Sequence, residues 1–210
     1  MSAQLRLFCG DDPPPSKPKQ PRPLPRPLRW PDALTLIAWC AAEIGRYTCP
    51  RKIAAAKRDE MIVNVGLYFG LRVSEICKLL VTHIDLHGKG AFIERSKGGK
   101  DRLVTIPSKL VDMLRTWIGT RQDGFLIPDY DGGMMSDRTI RWRLTRAAKL
   151  AGIPVNVHPH KLRHSYASHL LNTGANIRTV QALLGHADIQ TTAYYLDVDP
   201  SRFQSDVDRL

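Results

Sequence analysis

A histidine and an arginine three residues apart, His160 and Arg163, open a predicted helix directly behind Pro159. At that spacing both side chains project from one helical face. A helix N-terminus also presents unpaired amides and a partial positive charge, so this face suits a phosphate. Further on, Leu183-Leu184-Gly185-His186 precedes Thr191-Thr192-Ala193-Tyr194-Tyr195, and far upstream stands Gly70-Leu71-Arg72-Val73-Ser74-Glu75. Between them, Lys97 and Lys100 bracket two glycines. Each piece alone is ordinary. A helical HxxR is mostly a surface pair, and a tyrosine late in a chain is mostly core or interface. No purely structural explanation accounts for all of them in this order.

The elements that must position these residues are mainly helical. Asp32 is placed to cap a helix whose apolar face runs through Leu34, Ile37, Ala38 and Ala41. Arg46 to Ala56 reads as a connection broken by Pro50. A second helix covers Lys57 to Phe69 with Met61, Ile62, Val65 and Phe69 inward, and Ser74 is placed to cap a short helix through Leu80. Ala91–Arg95 and Arg102–Pro107 flank the Lys97-Gly98-Gly99-Lys100 turn as a β-hairpin. Ser108 then caps a helix carrying Leu110, Val111, Leu114, Trp117 and Ile118. Ser136 caps another that ends at Gly152. His160–Asn172 and Asn176–Leu184 follow, each stopped by a glycine, then short helical pieces at Asp188–Tyr195 and Ser201–Leu210. The expected class is α+β: a mainly helical domain with one small antiparallel sheet.

Composition narrows the partners. A formal charge of +11 and a pI near 9.8 favour a polyanion, a property that ribosomal and RNA-binding proteins share. No apolar run approaches the ~18–20 residues of a membrane span, and the first residues lack a signal-peptide pattern. The expected setting is the cytoplasm or nucleoid, with no membrane partner. Cys9, Cys40, Cys49 and Cys77 form no CxxC pair and read as reduced thiols, Cys40 and Cys77 as core. His158 and His160 form an HxH, but Pro159 between them and the lack of nearby ligands argue against metal, and no cofactor is expected.

Four ordered segments resemble the phage-integrase, or tyrosine recombinase, family. They are Gly70–Glu75, Ser96–Arg102, His158–His164 and Leu183–His186, with Tyr195 after them. The resemblance spans roughly Lys57 to Asp199 and is closest to the Xer-type and fimbrial-invertase branches. It implies a site-specific recombinase (integrase, invertase or resolvase) that cleaves and rejoins DNA, as mobile elements do, through a 3′-phosphotyrosyl intermediate. By position, Arg72 and Arg163 match the family's two catalytic arginines, and His160 the histidine or lysine ahead of the second. Lys97 matches the hairpin lysine, His186 the phosphate-contacting histidine, Tyr195 the nucleophile and Glu75 the supporting acid. Tyr194 and Lys100 are the neighbouring alternatives. Spacing from His186 favours Tyr195, and the place just after the first strand favours Lys97.

The chemistry gives each type a reason. A phosphodiester gains negative charge as phosphorus becomes five-coordinate, and two guanidiniums hold those oxygens with planar donors. A phenol with an ordinary pKa near 10 needs a base or a cationic setting, for which His160 is the candidate. Lys97 is the candidate acid for the leaving 5′ oxygen. With this much positive charge no divalent metal is expected, and because the free 5′ hydroxyl reverses the reaction with bond energy conserved, no ATP is expected either. A type IB topoisomerase-like enzyme shares the chemistry, and a non-cutting DNA-binding regulator could share the fold.

The predicted helix from Ser136 to Ala151 carries Arg138, Arg141, Arg143, Arg146 and Lys149 on its polar sides. These, with Lys100, are the expected DNA contacts. Residues 1–31, dense in proline and interleaved with Lys and Arg, read as an extended, solvated basic arm, either along phosphates or as a stiff linker or disordered tail. Residues 32–210 form the catalytic domain. Most family members carry a separate helical domain ahead of it, for which this sequence leaves little room. Its half of the clamp around double-stranded DNA is then expected to be absent, or to come from the arm or from accessory core-binding or DNA-bending proteins. Phe203, Val207 and Leu210 on one side of Ser201–Leu210 must be buried somewhere; the resemblance implies docking onto a neighbouring subunit, within a tetramer on paired sites, and packing on its own domain is the alternative.

Overall fold

The structure is a computed structural model that describes residues 27–94 and 101–185. Lys97, Lys100, His186, Tyr194 and Tyr195 lie outside the described residues. So do most of the basic arm and the expected elements at 188–195 and 201–210.

Seven α-helices, a single 3-10 turn (Val81–His83) and one sheet make up the described residues: α1 (Trp30–Gly45), α2 (Pro50–Tyr68), α3 (Val73–Lys78), β1 (Ile84–Asp85), β2 (Gly90–Ile93), β3 (Arg102–Thr105), α4 (Ser108–Ile118), α5 (Asp137–Leu150), α6 (Pro159–Asn172) and α7 (Ile177–Leu184). The sheet is antiparallel in the order β1-β2-β3, with Ala91 opposite Val104 and Ile93 opposite Arg102. The hairpin is thus where the alternating pattern places it. The two-residue β1 is too short to leave a period in sequence.

Helix α2 is the axis of the fold. Every residue from Met61 to Phe69 is buried, the signature of a helix enclosed on all sides, here by α1, α5 and α6. Gly66 lets α6 come close: a Cβ there would stand 2.9 Å from a methyl of Leu162. Below the sheet, Ala91, Ile93, Val104 and Ile106 join the same core.

Several local expectations change. Pro50 begins α2 instead of breaking a connection, because proline at the first helical position gives up an amide that had no partner anyway. Helix α1 starts at Trp30, so Asp32 lies inside its first turn and pairs with Arg29 at 2.8 Å. Its inward line is Ala33, Leu36, Cys40 and Glu43, while Leu34 is exposed. This helix is apolar around most of its circumference, so spacing alone does not choose the face. Ser74 sits within α3, and Ser108 within α4, where its hydroxyl accepts from Lys89. Ser136 and Asn176 do cap α5 and α7, accepting from the amides of Thr139 and Arg178.

Candidate active site

The site begins with a backbone turn. Gly70 follows α2 with a φ of +60°, and a Cβ there would stand 2.4 Å from the ring of Tyr166. Only glycine fits both the left-handed backbone and the contact. The turn aims Arg72 into the start of α3 and turns the Gly70 carbonyl toward α6.

Glu75 lies at the centre, its side chain almost wholly buried. Its carboxylate closes the first turn of α3 by accepting the Arg72 amide at 2.7 Å and the Arg72 guanidinium at 3.0 Å. Arg102, reaching from the inward face of β3, donates to both carboxylate oxygens at 2.9 Å in a forked pair. A third guanidinium, Arg163 on α6, stands 3.8 Å away. Burial pushes the Glu75 pKa up, but hydrogen bonding and charge from Arg102, then the Arg72 amide and Arg163, hold it down to about 2. One ionised carboxylate therefore organises three arginines, leaving net positive charge.

Arg163 is buried and fixed by main chain. It donates to the Gly70 carbonyl at 2.7 Å and to the Leu184 carbonyl at 2.6 Å. Arg102 donates to the neighbouring Leu183 carbonyl at 2.8 Å. Two guanidiniums thus meet the carbonyl end of α7, where the helix dipole favours cations. Gly185 ends that helix in the left-handed region, φ +65°. Arg72 differs from both partners: about a third of its side chain is exposed.

His160, at the first turn of α6, lies exposed beside this cluster. Partial burial lowers its pKa, and Arg141, Arg163 and Arg72 lower it further, so the neutral ring is favoured at pH 7. His164, one turn on, is pushed down to about 4 by burial and by His160, Arg163 and His158. Among the described residues no group of three or more His, Cys, Asp or Glu is arranged to hold a metal ion.

Of the expected catalytic set, Arg72, Glu75, His160 and Arg163 come together; Lys97, His186 and Tyr195 lie outside the described residues. Arg102 had been given no role, although it ends the Ser96–Arg102 segment. The signal for it was strand alternation, which puts it on the same inward face as Val104.

On α5, Arg138, Arg141, Arg146 and Lys149 are exposed, joined by Trp142, an aromatic on a basic face. The guanidinium of Arg146 lies over the Trp142 ring, 5.7 Å from its centroid. Arg143 departs from the expectation of a DNA contact. It points into the core and binds Asp59 of α2 at 2.6 Å, so it clasps helices together instead of facing solvent. Cys40 and Cys77 are buried thiols; the Cys77 Sγ donates to Asp137 at 3.2 Å, tying α3 to α5.

The model of the phage integrase family matches residues 47–202. A tyrosine recombinase XerC from Xanthomonas axonopodis pv. citri is 37% identical over 185 residues, covering 87% of this chain and 57% of that protein. XerA of Thermococcus kodakarensis is also 37% identical, covering 86% and 61%. The chain therefore spans little more than half the length of these relatives. Among solved structures, a XerA recombinase superposes with a TM-score of 0.73 at 28% identity, covering 91% of this chain and 65% of that one. A XerH recombinase bound to its difH substrate gives 0.69 at 21% identity, covering 89% and 55%, a likeness of fold.

Proposed function

The chain belongs to the phage integrase family, and on that footing we propose that it is a site-specific recombinase that cleaves and rejoins double-stranded DNA through a 3′-phosphotyrosine. The observation that carries this reading is the arrangement around Glu75. Two arginines, Arg72 and Arg163, are gathered on one buried carboxylate beside a histidine held neutral. Planar guanidiniums fixed before substrate arrives stabilise charge that develops in the transition state at no further reorganisation cost.

In the proposed reaction the Tyr195 oxygen attacks the scissile phosphorus while His160 takes the phenolic proton. Arg72, Arg163 and His186 hold the nonbridging oxygens. The bond to the 5′ oxygen breaks, and Lys97 protonates that oxygen. The products are a 3′-phosphotyrosyl protein and a free 5′ hydroxyl. A 5′ hydroxyl from the same or a second duplex then reverses the step. The number of phosphoester bonds is conserved, so no ATP is required, and the arginines, lysine and histidines supply the positive charge that a divalent metal would otherwise bring. The exposed α5 cations Arg138, Arg141, Arg146 and Lys149, with Lys100, supply phosphate contacts in this reading, and paired sites are bridged by a homotetramer. A transposon Tn1549 integrase of the same fold (TM-score 0.69, 19% identity), in complex with transposon right end DNA, supports DNA as partner.

The test has two stages. Duplexes that the protein binds are first selected from a random library, then two copies are placed on a supercoiled plasmid. Recombinant circles formed in EDTA without ATP are the expected result. Relaxation of a plasmid lacking the site would favour a topoisomerase, and binding without any cutting would favour a regulator.

A further inference from the structure

We propose that Arg102 is a positioning residue of the cleavage site: it locks Glu75 and the end of α7 in one geometry, so that Arg72 and Arg163 are preset for phosphate. The inference rests on the cleavage reading above and adds a residue that touches no substrate in it.

Three observations converge on this side chain. Its guanidinium grips both oxygens of Glu75, each at 2.9 Å, which fixes the carboxylate plane. The same carboxylate accepts from the Arg72 amide and guanidinium. Its Nε donates to Leu183 at 2.8 Å, adjacent to the Leu184 carbonyl that holds Arg163. Its stem also packs on Gly185, where an added Cβ would stand 3.1 Å from the Arg102 Cδ. One buried guanidinium therefore ties β3, α3 and the end of α7 to each other. A lysine keeps the charge but offers a point donor, so it cannot hold the fork and the Leu183 carbonyl together.

The test compares the full-length wild type with Arg102→Lys and Arg102→Gln on a nicked suicide duplex of the selected site. It measures thermal midpoint, DNA affinity, and single-turnover cleavage at saturating protein. Amide hydrogen exchange at Arg72 and Gly185 is followed alongside. The expected result for Arg102→Lys is affinity within about twofold of wild type, cleavage slowed roughly 10- to 100-fold, and faster exchange at both amides. A change confined to the fold would lower the thermal midpoint while leaving cleavage at saturation intact. Should Arg102→Gln fail to fold, Arg102→Lys still decides. Cleavage by Arg102→Lys at the wild-type rate, with exchange at Arg72 and Gly185 unchanged, would overturn the proposal. A wild type that cuts no duplex would instead sink the cleavage reading, and exchange at the two amides would still judge the positioning role.

Discussion

Two buried carboxylates in this molecule each hold more than one arginine, and they serve opposite ends. Asp59 on α2 binds Arg143 at 2.6 Å, with Arg146 at 3.8 Å, and burial keeps its pKa above the ordinary value despite both. Glu75 on α3 is buried as deeply, yet it is held down to about 2. The difference is the number and geometry of donors. Asp59 has one close charged partner, whereas Glu75 has a forked guanidinium, a backbone amide and a second arginine. A single ion pair barely offsets the cost of burying its charges, while a fully satisfied carboxylate becomes a fixed anion around which cations can be arrayed. The Asp59 pair clasps helices; the Glu75 cluster gathers the candidate site.

That contrast can be broken first by removing each anion. Glu75→Gln leaves Arg102 and Arg163 buried without their counter-charge, and should cost about 3–5 kcal/mol in urea unfolding. Asp59→Asn should cost less than half as much, since burial already offsets much of what its ion pair gains. Equal losses would mean that the two carboxylates are alike.

A second test separates the arginines by what they face. Arg143→Met should lower the thermal midpoint and leave the salt dependence of DNA binding unchanged. Arg138→Ala and Lys149→Ala should each reduce that salt slope by about 1, with stability altered by less than about 0.5 kcal/mol. A fall in slope for Arg143→Met would return that residue to the DNA face.

A third, smaller effect concerns pH. His160 is lowered by burial and by its cationic neighbours, so the free protein keeps it neutral down through pH 6.5. The second-order cleavage rate, which reads the free protein, should keep more than half its pH 8 value at pH 6.5 and fall below that. Glu75 adds no limb in this window. Because its folded pKa is depressed, its stabilisation is complete above about pH 4.5 and is lost only as pH falls toward about 2. Half-loss of rate above pH 6.5 would contradict the assignment of His160 as base.

These contrasts also mark what the sequence makes legible. The helices around the site were readable because their stops are chemical: Ser136 and Asn176 at the starts of α5 and α7, Gly185 at the end of α7. Arg72, Glu75, His160 and Arg163 were readable as ordered motifs, and their convergence follows from the Gly70 turn and the close approach of α6 at Gly66. Two roles were not readable. Arg143 looks like its solvent-facing neighbours because arginine reads as polar, although its phase with Ile140 and Ala147 puts it on the inward stripe, and the Asp59 that satisfies it there lies far away in sequence. Arg102 was hidden for the same reason, since its partners come from α3 and the end of α7. The face of α1 was ambiguous because too many of its residues are apolar.

The most direct test of the central claim is covalent trapping on a nicked suicide duplex of the selected site, followed by peptide mapping of the adduct. The account predicts one adduct, linked to the 3′ phosphate through Tyr195, formed by Tyr194→Phe and absent from Tyr195→Phe. An adduct that survives Tyr195→Phe, or that maps to another residue, would contradict it.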